Sequence, residues 1–291
     1  MRATSCLAAA LALAAVLLLC AAPPAAEAQG RGGRSGMRGH APPAGALPDD
    51  LAPEDAGAFL PMRATLEHMR SRGLLPTGLV PVYPETLSCP RANSLFAAST
   101  RGDGSPRNTA FFAGLHGGLD IPAPRGTPVL AVASGTVVRM EEGRGIGGIG
   151  LVLRHAPEDT GRPEWLFTEY KHLDALPDLK LGQRVEQGQP VARVGLSGTT
   201  GGHYGPLGHS HLHLSAWRSP SGDYQNRLAF VPVGGHWVDP LALFRDWPLE
   251  SERLAALPAE QKRVPLPCAG PDGRILPEGS RLVWPLACGG K

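Results

Sequence analysis

Ten histidines are spread along the 291 residues, and four of them crowd between positions 203 and 213. In His209-Ser210-His211-Leu212-His213, imidazoles alternate with small or apolar side chains. A strand sends successive side chains to opposite faces. His209, His211 and His213 therefore share one face, while Leu212, Leu214 and Ala216 point to the other, which should be core. Such a strand anchors a polar site on one face of a sheet. Imidazoles in that arrangement suit metal binding or proton transfer, and a solvated histidine face is the bland alternative.

Upstream, Gly114-Leu115-His116-Gly117-Gly118-Leu119-Asp120-Ile121-Pro122 carries the spacing H-x-x-x-D. Two adjacent glycines disfavour a helix. In a fully extended strand, residues four apart stand ~13 Å from one another, too far to share an ion. Gly117 and Gly118 let the chain bend or bulge so that both side chains converge. An ordinary Gly-rich loop, with Asp120 capping the turn before Pro122, is the competing reading. A catalytic zinc takes three protein ligands and keeps a fourth position for water. His116, Asp120 and one histidine of the later strand would supply that set, and imidazole with carboxylate suits zinc better than calcium. No H-E-x-x-H is present, which excludes the helix-based zinc peptidase arrangement. No C-x-x-C is present either, which disfavours a cysteine zinc site.

Another candidate, His172 in Tyr170-Lys171-His172-Leu173, closes a predicted strand. His155, His203, His209 and His236 are weaker candidates. His203 and His209 fall in or beside a Gly-rich loop, where a substrate contact is plausible.

The elements that must position these residues are short strands divided by Gly turns. Residues 128–133 and 136–140 flank Ser134-Gly135, a hairpin signal. Further strands are predicted over 149–155, 165–170, 185–188, 190–195 and 209–217. Few helices intervene, so the expected class is mainly β with a largely antiparallel sheet. One short helix is expected within 56–75, where Ala58, Leu60, Met62, Leu66 and Met69 recur at roughly helical spacing. Another helical stretch is expected near Ser251–Leu257. Residues 76–107 are turn-rich and give no periodic signal.

The 38 Gly and 30 Pro are densest toward the two ends, which read as looser than the middle. Expected divisions are a signal peptide at 1–28, a Gly/Pro/Arg-rich linker at 29–55 and an N-terminal segment of unassigned role at 56–107. A domain at 108–245 and a Pro-rich C-terminal extension at 246–291 follow. Arg2, the apolar run Leu7–Leu19 and Ala26-Glu27-Ala28 fit an export signal cleaved before Gln29. Bulky Leu19 before Cys20 argues against lipidation at that cysteine. No later segment is long and apolar enough to span a membrane. A formal net charge of +2 gives no case for nucleic acid or an anionic membrane surface. Export implies an oxidising compartment. Cys89, Cys268 and Cys288 remain after cleavage, enough for one disulfide and one thiol. Sequence leaves the pairing open, with a weak lean to Cys268–Cys288.

Taken in order, His116-Gly-Gly-Leu-Asp120-Ile-Pro-Ala-Pro-Arg-Gly-Thr-Pro-Val, Gly135-Thr-Val, Tyr170-Lys-His172-Leu, Gly188-Gln-Pro190-Val and His211-Leu-His213 resemble the lysostaphin/LytM family of zinc metallopeptidases. The resemblance spans about residues 108–245. It implies an antiparallel β-sheet groove of the duplicated hybrid motif type, with irregular terminal extensions. It also implies one zinc ion on His116, Asp120 and His213, catalytic roles for His172 and His211, and hydrolysis of peptides in bacterial peptidoglycan. In that mechanism one of His172 and His211 handles the proton of water while the other stabilises the oxyanion. Two stretches, 155–165 and 199–209, look longer than the family's pattern and would reshape the groove. Rival functions are a non-catalytic wall-binding regulator of amidases, a secreted protease acting on ordinary proteins, and a carboxypeptidase of related zinc architecture.

Overall fold

The alternating histidine strand is realised as an interior strand of a seven-stranded sheet. The computed structural model describes residues 51–143, 147–227, 229–246 and 248–291. The expected signal peptide at 1–28 and most of the 29–55 linker lie outside the described residues. All described residues belong to one compact unit, Leu47–Lys291.

The sheet strands are β1 (Leu119–Pro122), β2 (Gly135–Glu141), β3 (Gly150–His155), β4 (Trp165–Lys171), β5 (Arg184–Val185), β6 (His211–Ser219) and β7 (His236–Val238). Across the sheet the order is β7-β6-β4-β3-β2-β5, every pairing is antiparallel, and β1 pairs with β6. Register sets what shares a face: His213 lies opposite Asp120 on β1 and opposite Lys171 on β4. The expected mainly β, antiparallel class is therefore what forms.

The two faces of the sheet have different fates. Leu212, Leu214 and Ala216 of β6 join Tyr170, Leu151, Leu153, Leu119 and Ile121 in the main core, fully buried. On the histidine face, Trp217, Phe167 and Val152 form a second core with Phe59, Met69, Leu74 and Trp237. Two helices, α1 (Pro53–Phe59) and α2 (Leu66–Ser71), supply Phe59 and Met69. The N-terminal segment thus covers one end of this face and leaves the histidine end to the site.

Several expectations need correction. The single helix expected within 56–75 is two, with the break at 60–65, and α1 begins at Pro53, inside the expected linker. The hairpin at 128–140 does not form. Pro128–Leu130 pairs instead with Pro190–Arg193, while β2 pairs with β3 and β5. The backbone of 130–132 is bonded elsewhere: Leu130 N–H donates to Pro285 O, and Val132 O accepts from Val283 N–H. Gly135 is required by close approach, since a Cβ there would lie 2.6 Å from His155 Nδ1. The Pro-rich C-terminal extension is not loose. Val264, Leu266, Leu282, Trp284 and Leu286 are buried in the main core, and Arg263–Pro265 pairs with Val80–Val82. Finally, the disulfide joins Cys89 to Cys288, and Cys268 is the buried free thiol. Leu87–Ser88 pairs with Gly289–Gly290, which puts Cys89 and Cys288 side by side at the ends of neighbouring strands.

Candidate metal centre and active site

Three ligand-type atoms meet at the junction of β1 and β6. Asp120 Oδ1 lies 3.0 Å from His116 Nε2 and 2.9 Å from His213 Nδ1, and the two nitrogens are 3.1 Å apart. Asp120 and His213 face each other because their strands are in register. His116 lies before β1 and reaches the same point across the glycine pair. A Cβ at Gly118 would overlap the Leu214 carbonyl and lie 2.9 Å from His213 Nε2, so only glycine permits this approach.

The outer partners fix how each ligand presents itself. His116 Nδ1 donates to Leu95 O at 3.0 Å, which leaves the Nε2 lone pair facing Asp120. Two acceptors 3.0 Å apart in a buried site require a positive charge between them. A divalent cation satisfies that requirement. The donor set of two imidazoles and one carboxylate is of the kind that would suit zinc, which His116, Asp120 and His213 would hold. His213 Nε2 is held by Ser215 Oγ at 2.9 Å. Asp120 Oδ2 accepts from Arg107 Nη2 at 3.1 Å.

Electrostatics agree with this use. Burial alone would raise the Asp120 carboxyl, but the imidazoles of His116 and His213 overcome it and hold the group well below the carboxylate range. Burial pushes His213 down to about 4 against the pull of Asp120. A neutral imidazole beside an ionised carboxylate is the protonation state that ligands need.

A second imidazole pair stands beside the first set. His172 and His211 have ring centroids 4.6 Å apart, and His172 lies 5.9 Å from His213. His211 reaches this face by strand alternation. His172 does not: Lys171 already occupies the site face, so a regular strand would send His172 to the opposite one. Its backbone has φ +61, a left-handed conformation rare outside glycine, and this returns the ring to the site. His172 Nδ1 donates to Ser197 O at 2.7 Å and His211 Nδ1 to His209 O at 2.9 Å. Each ring therefore presents an unprotonated Nε2. Burial lowers both pKa values, that of His172 well below the ordinary range with help from His211 and His213.

The other histidines separate clearly. His209 stacks on His211 at 5.1 Å and lies tilted against Tyr204 at 5.0 Å, at the edge of the site. His203, in the same long loop, bonds Asp103 Oδ2 and Ser105 Oγ, each at 2.9 Å, which ties 199–208 to the segment carrying Arg107. His155 bonds Ser134 and Thr168, and His236 Nδ1 bonds Gly234 O, so neither belongs to the site. Beyond His213 the same face continues as a charged floor, with Lys171 Nζ 3.2 Å from Glu169 and 3.7 Å from Glu141.

Sequence reasoning missed Ser94, Arg107, Ser197, Tyr204 and Ser215. Ser215 was legible, because it continues the alternation two residues past His213. Ser94 and Arg107 lie in the stretch with no periodic signal.

Comparisons with known proteins give partial matches. An uncharacterized metalloprotease of Haemophilus influenzae is 37% identical over 100 residues, covering 34% of this chain and 19% of that protein. The uncharacterized lipoprotein YgeR of Escherichia coli is 35% identical over 79 residues, covering 27% of this chain and 28% of that one. This chain therefore spans under a third of the length of either relative. The solved structure of LytU shares 27% identity at a TM-score of 0.33, covering 49% of this chain and 81% of that one. The family model for peptidase family M23 matches residues 114–227, which contain His116, Asp120, His172, His211 and His213. That segment is similar to peptidase family M23.

Proposed function

We propose that this chain is a zinc-dependent metalloendopeptidase that hydrolyses peptide cross-links or stem peptides of bacterial peptidoglycan, acting outside the cytoplasm in the periplasm or beyond the cell. Its catalytic domain would run over about 108–245, behind a signal peptide at 1–28. The observation that carries the reading is the mutual 2.9–3.1 Å approach of His116 Nε2, Asp120 Oδ1 and His213 Nδ1 beside the His172–His211 pair. The match of residues 114–227 to a peptidase family supports hydrolysis of a peptide bond. The lipoprotein name of the Escherichia coli relative supports a place in the cell envelope. Among the described residues no helix is long and apolar enough to cross a membrane.

Zinc, when bound by His116, Asp120 and His213, supplies a Lewis acid for the scissile carbonyl and for water. The protein's own part is proton handling and placement. The unprotonated Nε2 of His172 or His211 accepts a proton from the attacking water. Once charged, that ring becomes a donor, able to bond the developing oxyanion or to deliver the proton to the leaving amine. The carbonyls of Ser197 and His209 keep the two rings in the required tautomer. Amide and water are thereby converted to carboxylic acid and amine with no other reactant.

The test is digestion of purified sacculi by the mature protein with and without chelator, with mass analysis of the released muropeptides. Release of shortened or uncross-linked peptides that stops with chelator and returns with zinc is expected. Digestion insensitive to chelator would refute the reading. All five site positions are filled, which disfavours a binding-only regulator.

A further inference from the structure

We propose that Arg107 is a positioning residue for the metal centre: it clamps Asp120 Oδ2 so that the carboxylate can ligate through Oδ1 alone. The proposal rests on the reading of His116, Asp120 and His213 as metal ligands.

The two oxygens of Asp120 have separate partners. Oδ1 faces His116 Nε2, His213 Nδ1 and, at 3.6 Å, His211 Nε2. Oδ2 faces Arg107 Nη2 at 3.1 Å. The guanidinium is itself pinned. The same Nη2 donates to Ser94 Oγ at 2.7 Å, Nε donates to Thr100 O at 3.2 Å, and the Arg107 backbone N–H donates to Ser99 O at 2.9 Å. Ser94 in turn sits in the site's frame, because its carbonyl accepts from Asp120 N–H at 3.0 Å and its Oγ lies 3.3 Å from His116 Nδ1. Arg107 thus reaches the ligand carboxylate while held by three further hydrogen bonds, to Ser94 Oγ, Thr100 O and Ser99 O.

A carboxylate free to rotate binds a cation through one oxygen or two. Two-oxygen binding would fill the position that a four-coordinate catalytic zinc keeps open. With Oδ2 committed to a planar, always charged guanidinium, that mode is closed. Partners outside the ligand set that orient the ligands typically change metal affinity or activity 10–100-fold when removed.

The experiment compares full mature protein with Arg107→Met, which keeps a similar apolar stem without donors, and Arg107→Lys, which keeps one point of charge without the fork. Zinc affinity is read by competition with a chromogenic chelator, and coordination by the visible spectrum of the cobalt(II)-loaded protein. Near-UV circular dichroism checks the fold. Arg107→Met is expected to bind zinc at least ~10-fold more weakly and to show the weaker cobalt bands of a higher coordination number. Arg107→Lys is expected to fall between it and wild type, and this comparison stands even if the methionine variant does not fold. Unchanged zinc affinity and cobalt spectra in the variants would overturn the clamp, as would tighter zinc binding on loss of the guanidinium. If wild-type protein bound no zinc, the ligand reading itself would fall, an outcome distinct from the variants' matching a zinc-binding wild type.

Discussion

Gly118 lies against His213 so closely that a Cβ on the glycine would come within 2.9 Å of the imidazole Nε2 and overlap the Leu214 carbonyl. The contact links the two halves of the H-x-x-x-D … H-x-H constellation, since Gly118 belongs to the bend that returns His116 toward Asp120. A methyl group would have to push β6 away from the bend or turn the His213 ring from its Ser215 partner.

Gly118→Ala is therefore expected to cost about 1–3 kcal/mol of stability, the usual scale of overpacking, and to lower zinc occupancy. Chemical denaturation with metal analysis of the purified variant checks both. A variant with wild-type stability and full occupancy would show that the bend can relax.

Under the proposed function the five site residues divide into those that would hold the ion and those that would handle protons. His213→Ala is expected to lose zinc and turnover together, because it removes one of three ligands. His211→Ala is expected to keep one zinc per chain and lose ~10²–10⁴-fold in turnover, the range for a positioned acid–base group. Metal content by elemental analysis, measured beside muropeptide release, separates the two. Loss of zinc in the His211 variant would make it a ligand and undo the division.

How much of this was readable beforehand follows from what a sequence encodes. Alternation placed His211 and His213 on one face, and Ser215 was open to the same argument. The convergence of His116 on Asp120 could be framed as a bend at two glycines, but its direction depends on the packing of Gly118 against β6. His172 stood out as a candidate at a strand end and took a catalytic role only from the resemblance, because nothing in a His codes for the left-handed φ of +61 that turns it inward. Arg107 and Ser94 were invisible, since their role depends on a loop folding back onto β1. The hairpin expected at 128–140 failed because Leu130 and Val132 pair with the chain near 283–285, a partner remote in sequence. The same pairing explains why a Pro-rich end could look loose and yet bury Val283 and Trp284.

Acid sensitivity has an identifiable source outside the site. His155 is buried, donates from Nδ1 to Ser134 O and accepts at Nε2 from Thr168 Oγ1, each at 2.8 Å. Burial pushes its pKa from 6.5 to about 4. Between those values the unfolded chain binds a proton that the folded chain does not, so stability falls as pH drops from 6.5 toward 4 and levels off below. The shift corresponds to about 3 kcal/mol at most. Urea denaturation at pH 7 and 4.5 is expected to show a smaller acid loss in His155→Gln than in wild type. Equal losses would assign the acid sensitivity to other groups.

Cys89 and Cys288 close the chain across 199 residues, while Cys268 stays buried as a thiol in the same cluster. The bond fastens the C-terminal segment that backs 130–132, and through it the sheet face opposite the site. Replacing Cys89 by Ser is expected to cost about 2–5 kcal/mol, the range for loss of a native disulfide. Replacing Cys268 by Ala should leave the disulfide intact and cost only the small packing change. Mass analysis of unreduced tryptic peptides identifies the bonded pair, and denaturation curves give the two costs. A Cys268–Cys288 peptide in the wild-type digest would reverse the assignment. Burial raises the Cys268 thiol pKa, which makes it a poor attacking group, so a single bonded pair is expected in the folded protein.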